Sequence, residues 1–262
     1  MTVLGTPYRL GSTSYVWPAG LAANAHRLGS LVDDVELVLF QVDGHSNLPG
    51  RRTVTALRDL ARQHDLTYSV HLPLDLALAE PDSLRMAATV LDRTRELPPA
   101  AVVLHLDGRA VEGAPGKQDL ARWRDQARRA LQRVVALAGD AGRVCIENLE
   151  NYPPEHFLPL VDEAGVALCV DVGHLWLVGR DPLPFLAEHL GRTRVVHLHG
   201  IGSRDHQSLR HQDVAQVTAV LALLEDRNYD GVLTLEVFGR DDFSTSRDMV
   251  VEILEAKGRG RR

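Results

Sequence analysis

Eight short apolar segments, separated by longer amphipathic stretches, constrain the fold of this chain more than any other feature of its sequence. The segment Val-Leu-Thr-Leu-Glu-Val, for example, is apolar nearly throughout, which is typical of parallel strands covered on both faces. The predicted strands are Arg9–Val16, Val35–Phe40, Thr67–Leu72, Ala101–Leu106, Arg143–Asn148, Ala167–Val172, Arg194–His199 and Val232–Phe238.

The stretches between these segments have the periodicity of helices. Leu120–Ala138 places apolar or small residues at helical spacing and ends beside Gly139, a residue type that favours helix C-termini. Proline fits the first turn of a helix, so Pro153 and Pro154 indicate another helix start. The remaining predicted helices are Arg52–His64, Ser83–Glu96, Leu209–Arg227 and Ser244–Ala256.

Eight strands that alternate with about as many helices predict an α/β fold closed into a single (β/α)8 TIM barrel, with a parallel eight-stranded barrel inside and helices outside. The length of 262 residues fits one such domain, with residues from about Lys257 to Arg262 as a flexible basic tail. A doubly wound open sheet is the alternative. It would require a glycine-rich phosphate turn after the first strand, where Trp17-Pro18-Ala19-Gly20 stands instead.

The composition indicates which kinds of binding partner to expect for this chain. A formal net charge of −6, with the 12 histidines neutral, does not favour a dedicated nucleic-acid binder, so we expect a small-molecule substrate. Cys145 and Cys169 both lie in predicted buried strands, where they act as small core residues. The sequence shows no secretory leader and no membrane-length apolar run, which predicts a cytoplasmic protein without a membrane partner. It leaves the oligomeric state open.

Side chains that can bind a metal stand at the ends of six successive predicted strands. In a barrel all of these ends face the same rim, where the active sites of this fold lie. Several buried acids and imidazoles are tolerable in one pocket if a dication neutralises them. The strand-end residues are His71, His105, Glu147, Asp171, His174, His197, His199 and Glu236.

Taken singly, each of these residues also has a purely structural interpretation. A lone His71 or His105 is more often a hydrogen-bonded rim residue, and Glu36 fits a salt bridge in the barrel as well as a substrate contact. The coincidence at successive strand ends is what favours a metal site. Mixed His and carboxylate ligands suit Zn²⁺ or Mn²⁺, and a carboxylate such as Glu147 can bridge two ions.

At these residues the sequence resembles the endonuclease IV/xylose isomerase-like superfamily of barrels. The resemblance rests on motifs in chain order: His71-Leu-Pro, His105-Leu-Asp, Glu147-Asn148, Asp171-Val-Gly-His174, Val196-His197-Leu198, Asp205-His206 and Glu236. It implies that His71, His105 and Glu147 hold one metal. It further implies that Glu147, Asp171, His197 and Glu236 surround a second, with His174 and His206 as partners of a third.

Two departures from the superfamily pattern leave points open. Asp205 and His206 are adjacent, whereas endonuclease-like members have one residue between the acid and the imidazole, so a third metal remains undecided. His199 stands where an Asn or Asp is usual, two places after the strand-7 histidine. The strand-7 ligand is therefore His197 or His199, and we favour His197.

A narrower resemblance is to the cobamide-remodelling phosphodiesterase family. It rests on four segments: residues 11–15, residues 32–40, residues 197–200, and Arg204-Asp205-His206 with Ser208-Leu209. This resemblance implies hydrolysis of the phosphodiester in the nucleotide loop of a corrinoid. We expect Tyr15, Glu36, His199 and Arg204 to contact such a substrate.

The main hypothesis is therefore a phosphodiesterase with two divalent ions, or three if the last group is a site. Glu147, Glu236 and Asp205 would be its catalytic residues, with Asp205 or Glu236 taking a proton and Arg204 or Arg240 facing the phosphate. The alternative is a sugar or sugar-phosphate isomerase or epimerase with one ion, in which Glu147 and Glu236 move protons. A non-catalytic carrier and an enzyme of abasic-DNA repair remain further hypotheses, and metal stoichiometry separates hydrolysis from isomerisation.

Overall fold

The computed structural model describes residues 2–42, 45–73, 77, 80–97 and 99–260. Its centre is a closed barrel in which each strand lies beside its neighbours in chain order and the last strand pairs with the first. This confirms the predicted (β/α)8 fold, and the open-sheet alternative is wrong. The barrel strands are β1 Arg9–Thr13, β2 Asp34–Val38, β3 Thr67–His71, β4 Ala101–Leu104, β5 Val144–Glu147, β6 Ala167–Asp171, β7 Thr193–Leu198 and β8 Val232–Leu235, and Gln41–Val42 pairs with His45–Ser46 in a separate short hairpin.

The helices cover the outside of the barrel, each with an apolar face turned inward. The longer α4, for example, buries Trp123, Leu131 and Val134. Among the described residues, none of the helices is both long and apolar enough to cross a bilayer. The helices are α1 Leu21–Leu28, α2 Arg51–His64, α3 Pro81–Thr94, α4 Lys117–Ala138, α5 Leu158–Ala164, α6 Val172–Leu177, α7 Pro182–His189, α8 Val214–Asp226 and α9 Arg240–Gly260.

Capping side chains explain where several elements begin and end. The prediction that this helix starts at Leu209 is wrong. Helix α8 begins at Val214, because the Asp213 side chain caps it by accepting a hydrogen bond from the Ala215 N–H at 2.8 Å. Residues 209–211 form a separate 3₁₀ turn. Strand β6 ends at Asp171 because its carboxylate caps α6, accepting from the His174 N–H at 2.7 Å.

One further predicted helix start differs from the structure, and the predicted C-terminal tail begins within a helix. Pro154 begins a 3₁₀ turn that ends at His156, and α5 starts only at Leu158. Lys257, where the sequence predicts a flexible tail, lies within α9 and pairs with Glu225 of α8. Residues 261 and 262 lie outside the described residues.

The inside of the barrel has an apolar half and a polar half. The apolar half is a cluster that includes both free cysteines, which are small core residues as predicted: Ala101, Val103, Cys145, Ala167, Cys169, Val195 and Val232. The polar half contains the buried Asp34, Glu36, Ser69 and Thr234. Gly11 makes room for it, since a Cβ there would lie 3.1 Å from the Thr234 Oγ1. Polar groups thus extend up the barrel toward the C-terminal rim.

Asp34 lies deepest in this polar half and has no exposed surface. Its Oδ2 accepts a hydrogen bond from the Thr67 hydroxyl at 2.6 Å, while its Oδ1 has no partner among the described residues. Burial raises the pKa of Asp34 to about 6, against the hydrogen bond from Thr67, which lowers it. The folded protein therefore retains a proton that the unfolded chain releases at lower pH.

This ionisation gives a stability prediction for Asp34→Asn. The wild-type protein should lose up to about 3 kcal/mol of unfolding free energy relative to the variant as pH rises from 4 to 7, because the folded-state pKa is the higher one. Urea unfolding of both proteins across this range measures the difference, in which other titrations cancel. A difference independent of pH would show that Asp34 ionises as freely in the folded state as in the unfolded chain.

Candidate metal centre

The predicted metal ligands come together at the C-terminal rim because the strands are in register. His71, Glu147 and Asp171 are the last residues of β3, β5 and β6. Asp171 pairs directly with His197 of β7, and Thr234, two residues before Glu236, pairs with the same histidine. Side chains far apart in the sequence therefore lie at one level of the barrel.

The first group of ligands surrounds one oxygen of Glu147. His71 Nε2 and His105 Nε2 each lie 3.0 Å from Glu147 Oε2. His71 Nδ1 lies 2.7 Å from the Leu72 carbonyl oxygen and donates its proton there. The Nε2 lone pair of a neutral His71 then faces the carboxylate, an arrangement that calls for a proton or a cation between the two atoms.

The second group contains Glu147, Asp171, His197 and Glu236, and all four side chains are buried. His197 Nδ1 lies 3.1 Å from Glu236 Oε2, 3.4 Å from Glu147 Oε1 and 3.8 Å from Asp171 Oδ2. Among the described residues, none offers a hydrogen-bond partner to His197 Nδ1, Asp171 Oδ2 or Glu236 Oε2. Buried polar atoms without partners are costly, so this set of atoms fits a bound cation.

The charges of these groups support the same fit. Burial alone would raise the pKa of Glu147, but the imidazoles of His105 and His197 outweigh it and hold that pKa well below its usual range. Burial would lower the pKa of His71, yet the Glu147 carboxylate raises it to about 9. The centre therefore combines ionised carboxylates with imidazoles, the donor set that Zn²⁺ and Mn²⁺ accept.

The distances within each group also suit an ion. The ligand atoms of each lie within 4.8 Å of one another. Metal–ligand bonds of about 2.0–2.2 Å place opposite ligands roughly 4 Å apart. Glu147 belongs to both groups through different oxygens, so its carboxylate can bridge two ions.

A third group is formed by His174, His199 and His206, whose ligand atoms also lie within 4.8 Å of one another. The ring centroids of His199 and His206 are 4.1 Å apart. The His199 ring fits only because residue 173 is glycine, since a Cβ there would lie 2.2 Å from His199 Cε1. His206 has a left-handed backbone, with φ of 51°, which turns it into the group.

The two strand-7 histidines thus have different positions. His197 lies with Glu147, Asp171 and Glu236, whereas His199 lies in the third group. His199 Nδ1 accepts a hydrogen bond from the His206 N–H at 3.1 Å, and its Nε2 lies 3.3 Å from Asp171 Oδ1. This geometry favours His197 as the ligand of the second group. His199, predicted as a substrate contact, lies beside His174 and His206, with both of its ring nitrogens facing protein groups.

Glu36 lies behind His197 and not at the mouth of the barrel. Its Oε2 is 3.0 Å from His197 Nε2, and neither side chain has exposed surface. Because His197 donates the Nε2 proton to Glu36, its Nδ1 is left facing the acids of the second group. This burial favours a carboxylate that orients the candidate ligand His197, the salt-bridge interpretation that the sequence left open, over the predicted substrate contact.

Asn148 is a supporting residue to which the sequence assigned no role. Its side-chain amide donates to the Asp171 carbonyl at 2.9 Å and accepts from the Asp171 N–H at 2.8 Å. Asp171 is thus fixed from both sides of its backbone. The only sequence signal was an asparagine directly after a buried strand, beside Glu147.

The other predicted site residues lie at the edge of the centre. Asp205 is partly exposed, with its Oδ2 3.7 Å from His206 Nε2, and it belongs to none of the groups found among the described residues. Arg204 is exposed and donates to the Asp205 carbonyl at 3.2 Å. Tyr15 is half-buried and packs against Phe40 and Phe238.

Comparison with known proteins agrees with this architecture. The model of the family described as xylose isomerase-like TIM barrel matches residues 22–256. The chain belongs to this family. The broader resemblance predicted from the sequence is thus confirmed, whereas the narrower one to cobamide-remodelling phosphodiesterases stays a prediction. No curated protein matches the sequence significantly.

Solved structures of the same fold include both epimerases and a nuclease. A D-tagatose 3-epimerase-like protein superposes with a TM-score of 0.77 at 20% identity, covering 97% of this chain and 100% of its own. An L-ribulose 3-epimerase superposes with a TM-score of 0.70 at 17% identity, and the match covers 97% of each chain. Endonuclease IV from Thermus thermophilus superposes with a TM-score of 0.68 at 19% identity, and the match covers 93% of this chain and 99% of the endonuclease chain. At these identities the likeness establishes the fold.

The contact between Glu36 and His197 gives the first prediction about the centre. Glu36→Gln should weaken the binding of Zn²⁺ or Mn²⁺ by about 10- to 100-fold, because the ligand histidine loses its carboxylate partner. Calorimetric titration of the metal-free protein measures this change. Asp34→Asn is the matched control, since it makes the same chemical change two residues earlier on β2, away from His197. Equal losses in the two variants would contradict an orienting role for Glu36.

Proposed function

We propose that this protein is a metal-dependent phosphodiesterase. The observation that carries the proposal is the division of Glu147 between two ligand groups. Its Oε2 lies 3.0 Å from both His71 and His105, while its Oε1 lies 3.4 Å from His197. A carboxylate in this position suits a pair of neighbouring divalent ions, and such pairs are typical of enzymes that cleave phosphate esters.

The groups around Glu147 have separate tasks in this proposal. His71 and His105, together with Glu147, would hold one ion, and Asp171, His197 and Glu236, together with the same Glu147, would hold another. When bound, such ions neutralise phosphate charge and make water a stronger nucleophile. Glu36 and Asn148 keep the ligands in place.

Proton transfer and phosphate binding fall to residues at the edge. Asp205 is partly exposed and lies beside His206, so it can accept a proton and pass it to solvent. Glu236 is buried among the ligands of the second group, so it suits the role of proton acceptor less well. The exposed guanidinium of Arg204 donates to the Asp205 carbonyl, so it lies beside the proposed proton acceptor and would neutralise a phosphate oxygen bound there.

The substrate that we propose is a corrinoid, cleaved at the phosphodiester of its nucleotide loop. The support for it is the resemblance of residues 11–15, 32–40, 197–200 and 204–209 to cobamide-remodelling enzymes. The net charge of −6 suits a small molecule better than a DNA duplex. Incubation with a panel of corrinoids and added Zn²⁺ or Mn²⁺, followed by mass analysis, should show a product hydrolysed at that bond.

Replacement of the shared carboxylate tests the mechanism. Glu147→Gln should reduce hydrolysis by at least about 10³-fold and lower the number of bound ions, because the amide cannot bridge two cations. The exposed Glu163, on α5, gives a control variant, Glu163→Gln, that should retain full activity. Chelation should abolish activity and metal readdition should restore it. Full-rate cleavage by the chelated protein would rule the proposal out.

A second candidate is a sugar or sugar-phosphate epimerase or isomerase, and the fold of two epimerase structures favours it. Glu147, Asp171, His197 and Glu236 alone can hold the one ion that this chemistry requires. Glu147 and Glu236 would then move protons at a carbon next to a carbonyl. The imidazoles of His71, His105, His174 and His206 would be substrate contacts.

Metal counting separates the two candidates. A phosphodiesterase should bind at least two ions per chain and lose one in a double variant of His71→Asn with His105→Asn. An epimerase should bind one ion in both proteins. Elemental analysis of the metal-loaded, desalted proteins gives these numbers, and the exposed His211 supplies a control variant, His211→Gln. One ion in the wild-type chain under saturating metal would favour the epimerase.

A further inference from the structure

A cleft of about 560 Å³ lies beside the third histidine group, between the segment after β1 and the segment after β8. It adjoins the metal centre through Phe238, whose ring centroid is 5.3 Å from that of His206. The residues that give it its character are Tyr15, Trp17, Gly20, Asn47, Phe238 and Arg240. Neither ion binding nor proton transfer at the metal centre uses the cleft as a whole.

Three aromatic rings form its apolar walls. The centroid of the Tyr15 ring lies 6.2 Å from that of Phe40 and 6.4 Å from that of Phe238. The Trp17 indole is supported by the Arg27 guanidinium at 5.5 Å and by Phe243 at 6.3 Å. Because each ring is held by another group, the walls are fixed before any ligand binds.

The cleft offers few hydrogen bonds to a ligand. The Asn47 amide donates to the Val38 carbonyl at 2.7 Å, and its oxygen accepts from the Phe40 N–H at 2.8 Å. The Ser14 hydroxyl oxygen accepts from the Val38 N–H at 3.2 Å. The Tyr15 hydroxyl, which accepts from the Asn47 amide at 3.5 Å, can still donate to a ligand. A polyhydroxylated sugar in this space would therefore replace few of its water contacts, whereas a flat apolar ring has few to lose.

Arg240 adds a positive charge at the edge of the cleft. It is the first residue of α9 and is exposed. A guanidinium in this position suits the phosphate of a ligand whose ring lies between the aromatic walls. The aromatic walls therefore match the ring of such a ligand, and the charge and the adjoining metal centre match its phosphate.

We propose that this cleft binds a flat aromatic or heteroaromatic ring carried by a phosphate ester, with the ring against Tyr15, Trp17 and Phe238. The inference rests on the proposed phosphodiesterase function and specifies its substrate class. The ring supplies binding energy away from the reacting phosphate, and Arg240 and the metal centre hold the phosphate itself. A free sugar has no flat aromatic ring to stack on this wall.

Binding of two phosphate monoesters tests this directly. The probes are phenyl phosphate and glycerol 3-phosphate, which share the anion and differ in the ring. Calorimetry with the metal-loaded protein should give about tenfold tighter binding of phenyl phosphate. Trp17→Leu and Phe238→Leu should remove most of this preference, whereas Arg240→Gln should weaken both probes alike.

Fluorescence locates the probe within the protein. Phenyl phosphate should change the emission of the wild type and of a Trp176→Phe control, because Trp176 lies in a different cleft. The change should be absent in Trp17→Phe. Equal affinity for the two probes, or a ring preference that survives loss of both Trp17 and Phe238, would overturn the inference.

The outcome is independent of the phosphodiesterase assay, since binding requires no turnover. A ring preference lost in the variants, in a protein that cleaves no phosphodiester, would leave the cleft assigned and the proposed function rejected. Cleavage of phosphodiesters without any ring preference would instead reject the cleft assignment and leave the proposed function standing.

Discussion

The burial of the Glu147 carboxylate is the constraint on which the rest of this structure depends. The side chain is only 1% exposed, yet nearby imidazoles hold its pKa well below the usual range, so it is charged inside the barrel. An isolated buried carboxylate would be strongly destabilising. Histidines at the C-terminal ends of β3, β4 and β7 surround it, and with Asp171 and Glu236 also buried, a bound cation would complete the charge balance.

Supporting residues make this concentration of charge possible. Glu36 fixes the direction of His197, and Asn148 fixes the backbone of Asp171. Gly173 leaves room for the His199 ring, and Gly200 lets the following loop return, because a Cβ there would lie 1.9 Å from the Ser208 carbonyl oxygen. The centre thus depends on backbone positions as much as on the ligands themselves.

Much of this arrangement could be predicted from the sequence, because parallel barrels have regular consequences. Strands covered on both faces give apolar runs, and their C-terminal ends converge on one rim, so His71 and Glu147 could be expected to meet. The direction of a side chain behind that rim is a different matter. Glu36 has the same local pattern whether it pairs with a histidine or contacts a substrate, and only the three-dimensional placement of His197 decides. The start of α8 likewise depends on a single capping contact by Asp213.

One barrel can serve different reactions according to which of these ligands it keeps. The four residues of the second group could hold a single ion by themselves. A barrel that retained only those four would therefore have the ligands that the epimerase or isomerase alternative requires. His71 and His105 face the other oxygen of Glu147, and the orientation of His71 is set by its bond to the Leu72 carbonyl. A substrate contact would need its imidazole directed into open space, whereas both Nε2 atoms are directed at a buried carboxylate. Their geometry therefore supports the second ion that the proposed phosphodiesterase would need.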